Sequence, residues 1–181
     1  MTARSYNDWV NDDGLRIRFG RGLAQVTRGG EFSDADGGRT LVEVDVVGTD
    51  LKAFNDATDP TTILDWNTRI PPGAYLEAAE LDVQVAFAGA TATLTLGLVK
   101  ASDQVAAFTD LDADGIDATI AVTAIAAAGD TITCDGALIG TVLGTDSGGY
   151  LVSAEAGTAN FTAGKAKLRI WYRMPLDSSL T

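Results

Sequence analysis

The densest set of ligand-type side chains in the chain is the run DLDADGID, residues 110–117. Asp110, Asp112 and Asp114 occupy positions 1, 3 and 5 of a calcium-loop pattern, Gly115 occupies position 6, and Asp117 adds a fourth carboxylate. Hard carboxylate oxygens at alternate positions suit a hard cation such as Ca2+. The pattern is incomplete. Position 12 is Ala121, where an EF-hand carries a bidentate Glu, and no EF-type helix is evident upstream. The run is therefore a candidate structural calcium site, with a solvated Asp/Gly turn as the alternative. As an acid/base pair, Asp112 and Asp114 lie too close together in one loop to divide the two roles.

The remaining inventory argues against an enzyme. The chain has no histidine, which removes the commonest general base, the Ser-His-Asp and Cys-His arrangements and the usual zinc sets. Its single cysteine, Cys134 in TITCDG, cannot form an intrachain disulfide and has no basic neighbour in sequence to make it a thiolate. No cofactor is expected beyond that candidate calcium ion. A formal net charge of −12 opposes binding to nucleic acid. No apolar run is long enough to span a bilayer and no export signal is visible, so neither membrane nor export is expected. The charge is unevenly spread. Residues 1–40 carry six Arg and six acids, whereas residues 101–160 carry nine acids and no Lys or Arg. One face or end should therefore be strongly acidic.

Three groups of residues suit contact with a partner. In KAKLRIWYRM, residues 165–174, Leu168, Ile170, Tyr172 and Met174 alternate with Lys167, Arg169, Trp171 and Arg173. Arg169, Trp171 and Arg173 combine the side chains that interface hot spots favour, and a solvated face is the alternative. In GLRIRFG, residues 14–20, Arg16 and Arg18 alternate with apolar positions and fit an edge strand or an acidic partner. Tyr6 and Trp9 are isolated aromatic anchors in an otherwise polar terminal stretch.

These groups must be held by strands. The composition is rich in Gly, Ala, Thr, Val and Asp and poor in Lys and Glu, which favours strands and turns over helices. Residues 70–99 show two runs of period two: Leu81, Val83, Val85 and Phe87, then Ala92, Leu94, Leu96 and Leu98. The turn Ala88-Gly89-Ala90 between them predicts a β-hairpin with one buried face. Strands are also predicted at residues 39–47, with Val42, Val44 and Val46 opposite Glu43 and Asp45, and at 62–67, 129–135, 137–143, 150–154 and 165–174. DATIAVTAIAAA, residues 117–128, predicts the one short helix, capped by Asp117 and ended by Gly129. Its Thr119, Val122 and Thr123 make a strand the alternative. The predicted class is mainly β: an antiparallel β-sandwich or jelly-roll-like barrel with that helix. Residues 1–13 form an extended N-terminal arm and residues 14–181 a single sandwich domain.

NDDGLRIRFG, IPPGAYLEAAELDVQVAFA followed by TATLTLGLV, DADGIDATIA, CDGALIGT and FTAGKAKLRIWYR together resemble the small structural proteins of tailed bacteriophages. The resemblance runs from Asn11 to Arg173 and is one of layout. It implies a virion protein, and among these a decoration or cement protein on the capsid exterior. Such a protein would be made in the host cytoplasm, would bind the major capsid protein, and would assemble as a homo-oligomer, a dimer or trimer. A phage tail or neck component, or a carbohydrate-binding β-sandwich module, is the alternative. No catalytic residue comes with the resemblance.

Overall fold

The computed structural model describes residues 8–10, 16–18, 31–33, 38–56, 60–101, 110–146 and 148–174; of 8–10, 16–18, 31–33 and Asp110 it describes the backbone alone. Twelve strands are described: β1 (Asp8–Val10), β2 (Arg16–Arg18), β3 (Glu31–Ser33), β4 (Arg39–Val47), β5 (Thr62–Ile63), β6 (Arg69–Ile70), β7 (Tyr75–Ala88), β8 (Thr93–Lys100), β9 (Asp110–Ala121), β10 (Thr131–Cys134), β11 (Tyr150–Gly157) and β12 (Ala163–Arg173). They form a sandwich. One sheet has the order β10-β7-β12-β4-β3; the other has β5-β11-β8-β9, with β6 also paired to β11. All pairings are antiparallel. Among the described residues β1 and β2 pair with each other and with neither five-stranded sheet.

The two best-patterned strands appear where the sequence places them. β4 alternates, burying Thr40, Val42, Val44 and Val46, and β12 buries Ala166, Leu168, Ile170 and Tyr172. The inward rows of both sheets share one core that includes Leu76, Leu81, Leu94, Leu96, Leu98, Leu168 and Ile170. At one end Phe87 and Phe161 pack edge to face, with centroids 5.3 Å apart. Gly164 (φ +132°) lies under the Phe87 ring, where a Cβ would come within 2.3 Å of a ring carbon.

The predicted hairpin over residues 70–99 is not one. β7 and β8 belong to opposite sheets, and their apolar rows face each other across the core. Period two reports only that one face is buried; a hairpin and an arch between sheets leave the same pattern. The connection over residues 89–92 suffices: four residues span at most about 13 Å, and packed sheets lie about 10 Å apart. Gly89 lets this arch close, since a Cβ there would meet the carbonyl oxygen of Asn160 at 2.8 Å. Alternation also fails at Val85, which is 52% exposed. Bulges against β12 between Ala163 and Ala166 turn it out of the core.

The predicted helix is also absent. Residues 117–121 complete β9, and only Val122–Ile125 form a short 3-10 turn. β9 is bulged against β8: Ile120 pairs with Leu94, Asp117 with Leu96 and Asp112 with Leu98. Three residues on β9 therefore match two on β8, and then five match two. The extra residues give buried Ile116 and Ile120 a helix-like spacing inside a strand. The predicted strand over residues 137–143 is likewise a series of turns with a single bridge, Tyr75 to Val142. Gly140 in that stretch has φ +79°, a left-handed conformation that interrupts a strand.

Candidate interaction face

β12 is the centre of the first sheet, flanked by β7 and β4. Lys165, Lys167, Arg169, Trp171 and Arg173 alternate with its buried row and share the outer face. In the sequence this row stands out as a line of unmatched cations. The structure places acids from both neighbours beside it. Lys165 and Lys167 reach Asp45 at 3.1 and 3.2 Å. Arg169 reaches Glu43 at 2.9 Å and Asp82 at 3.1 Å. Arg173 and Arg39 meet on Glu77 at 3.2 and 2.8 Å. The face is striped, with acids on β7, cations on β12 and, beyond Arg39 at its start, acids on β4.

The aromatic side chains of this face are also engaged. The Arg39 guanidinium lies 5.4 Å from the Trp171 ring centroid, and that of Arg173 lies 4.9 Å from the Tyr75 centroid. Burial pushes the Asp45 carboxyl up, but the hydrogen bonds and charges of Lys165 and Lys167 outweigh it and hold the group below its usual range. The Glu43 hydrogen bond raises Arg169, so that guanidinium stays charged. Over β4, β7 and β12 the outer face carries Glu43, Asp45, Glu77, Glu80 and Asp82 against Arg39, Lys165, Lys167, Arg169 and Arg173. It is electrically balanced, so the whole −12 lies elsewhere on the chain.

The Asp-rich run is a strand. Its bulge folds over Gly97, where a Cβ would lie 2.2 Å from the Ala113 carbonyl oxygen. The bulge is also tied to the turns that follow β10: the Gly136 amide donates to the Ile116 carbonyl at 2.9 Å, and the Leu138 amide to the Gly115 carbonyl at 2.8 Å. Asp112 shares a hydrogen bond with Asp114, which together with burial raises its carboxyl above the usual range. Asp117 stands opposite core-facing Leu96 and is only 7% exposed. Burial raises its carboxyl, and the Asp135 charge adds to that, against a 3.3 Å hydrogen bond from the Thr119 amide. Among the described residues no three or more His, Cys, Asp or Glu are grouped to hold a metal. The Asp110 side chain lies outside them.

Of the other partner candidates, Tyr6 lies outside the described residues. Trp9 is in β1 opposite Ile17, and Arg16 and Arg18 are in β2 opposite Val10 and Asp8. Among the described residues no strand pairing joins β1 or β2 to the β12 row. The acids that answer the cations are not evident from the β12 row itself. Glu80 and Asp82 were visible as an outward polar row, and the register that sets them beside Arg169 is tertiary.

No protein-family model and no curated protein matches the chain. Solved structures do. A chain in the capsid of Ralstonia phage GP4 superposes with TM-score 0.54 at 17% identity, covering 86% of this chain and 92% of that one. A chain in the capsid asymmetric unit of cyanophage Pam1 gives 0.48 at 16% identity, covering 92% and 98%. A chain in the acidic stable capsid of Helicobacter pylori bacteriophage KHP30 gives 0.45 at 18%, covering 74% and 86%. The fold is shared with a chain of a phage capsid. Among the described residues no helix is long and apolar enough to cross a membrane.

Proposed function

We propose that the chain is a structural protein of a phage virion, a decoration or cement protein that seats on the outer surface of the head and ties neighbouring major capsid subunits together. The observation that carries this reading is the sandwich shared nearly end to end with a chain of the GP4 capsid. The chemistry agrees with a role in binding. The outer face of the β12 sheet is a charge-balanced surface with Trp171 and Tyr75 held under guanidinium groups. Such a face can meet a protein surface without leaving a block of one charge buried. A cement acts by burying surface across a subunit boundary, and repetition over the shell multiplies modest single contacts. A glycan-binding reading through Trp171 needs that ring open, and Arg39 lies over it.

The test is on particles. Purified virions should contain the protein in a fixed ratio to the major capsid protein, exposed to antibody on intact heads. Heads assembled without it should burst at lower temperature or lower salt. Heads of equal robustness without it would reject the cement role, and its recovery with isolated tails would move it to the neck or tail.

A further inference from the structure

The outer face of β4, β12 and β7 is neutral as a whole but not along its length. At one end Arg39 and Arg173 share one acid, Glu77. At the other end Lys165 and Lys167 share Asp45. Between them a single cation, Arg169, stands among Glu43, Glu80 and Asp82. The face therefore runs positive, negative, positive along β12.

Glu80 is the acid left over. It lies opposite Arg169 on β12 and Thr133 on β10. Arg169 instead turns its Nε to Glu43 and its Nη1 to Asp82. Glu80 is half-buried, yet among the described residues no hydrogen bond or ion pair reaches it. Ala78 and Thr133 beside it are short, so a long basic side chain coming from above the sheet can reach the carboxylate. Exposed apolar side chains mark the two ends of the same face. Of the five large ones exposed among the described residues, Val85 lies opposite Lys165, Val142 bridges to Tyr75 and Met174 follows Arg173. Their gathering around one face is the mark of a protein contact.

We infer that this face seats a protein surface of the opposite pattern, in which one Lys or Arg projects onto Glu80 and Asp82 and flanking acids meet the cations at both ends. A second copy stacked centre on centre would set acid against acid, so the partner is a different protein. That this partner is the major capsid subunit rests on the virion reading; the charge pattern it must carry does not.

The test uses the full chain and heads assembled without it. The parent protein, Glu80→Gln and Glu155→Gln are titrated onto such heads. Glu155 takes the same change on the outer face of the other sheet, where Gln still accepts from the Thr61 hydroxyl. Glu80→Gln should bind about tenfold more weakly, and its affinity should fall less steeply with salt. It should melt no lower than the parent, because it gives up no bond within the chain. Glu155→Gln should bind as the parent does. Equal affinity for Glu80→Gln and the parent overturns the inference and leaves the virion reading standing. An equal loss in both variants would report net charge alone, and it overturns the inference too. So does a Glu80→Gln protein that melts lower, which would make Glu80 a structural residue. Heads that take up no parent protein reject the cement role and this inference with it.

Discussion

The Nε of Arg169 on β12 donates to Oε1 of Glu43 on β4 over 2.9 Å. The other side of the same guanidinium reaches Asp82 on β7 at 3.1 Å, so one side chain ties three strands together across their outer face. Arg169→Glu would set a third carboxylate between those two. The loss of two partly exposed pairs plus repulsion should cost about 1–2 kcal/mol. A lowered urea midpoint with an unchanged slope is the expected signature. An unchanged midpoint would mean the pairs are solvated and separate. Loss of particle attachment in this variant counts as interface evidence only after that stability loss is allowed for.

Gly97 faces a packing limit of a different kind. A Cβ there falls 2.2 Å from the Ala113 carbonyl oxygen and 2.3 Å from that of Asp112, both backbone atoms of the β9 bulge. Gly97→Ala must displace the bulge and should cost about 3 kcal/mol or more. Gly129 is the control: φ is +94° and nothing lies within 4 Å of a built Cβ. Gly129→Ala bears only the left-handed backbone cost, about 1–2 kcal/mol. Equal losses in the two variants would show that the bulge is pliable.

Acid dependence should run in two directions. Asp117 is raised in the folded state, so on acidification the folded protein takes up this proton before the unfolded chain does. Its effect on stability is favourable as pH falls toward the unfolded value and is lost as pH rises through the folded one. Asp45 is lowered, so its contribution is present at neutral pH and lost as pH falls through its folded value. Asp117→Asn keeps an oxygen to accept from the Thr119 amide and removes a buried charge. The variant should melt higher than the parent at pH 7, with the difference closing as pH falls below about 4, the ordinary carboxylate range. Melting curves at several pH values decide it; a variant less stable at pH 7 would show that the ionised carboxyl is used.

Cys134 is buried, and its thiol is pushed up to about 12 by burial first and then by the charges of Asp117, Asp135 and Glu80. Reaction needs the thiolate. At pH 8 a disulfide reagent should label the native protein at least about a thousandfold more slowly than the urea-unfolded chain. Labelling within seconds of mixing would mean that β10 opens from the edge of its sheet.

The strands β4 and β12 were legible from alternation alone, because each buries one face and exposes the other along its length. So was the sandwich class. Residues 110–121 were not legible. An Asp-Gly run reads as a turn and Ile116 with Ile120 reads as a helix face, but the bulges that reconcile both with one strand arise from pairing to β8. The cationic row was legible as a row, and its neutrality was not, since Glu43 is 126 residues from Arg169 along the chain.

Composition and period-two patterning thus determined that this chain buries one face of many strands. The tertiary structure decided which strand lies beside which. It put residues 75–88 and 93–100 in opposite sheets, and it set acids against every cation of β12's outer face. The physical reason is that alternation is a local property of one strand, fixed by which side meets water. Strand neighbours are chosen by long-range register, which a single strand's pattern does not encode.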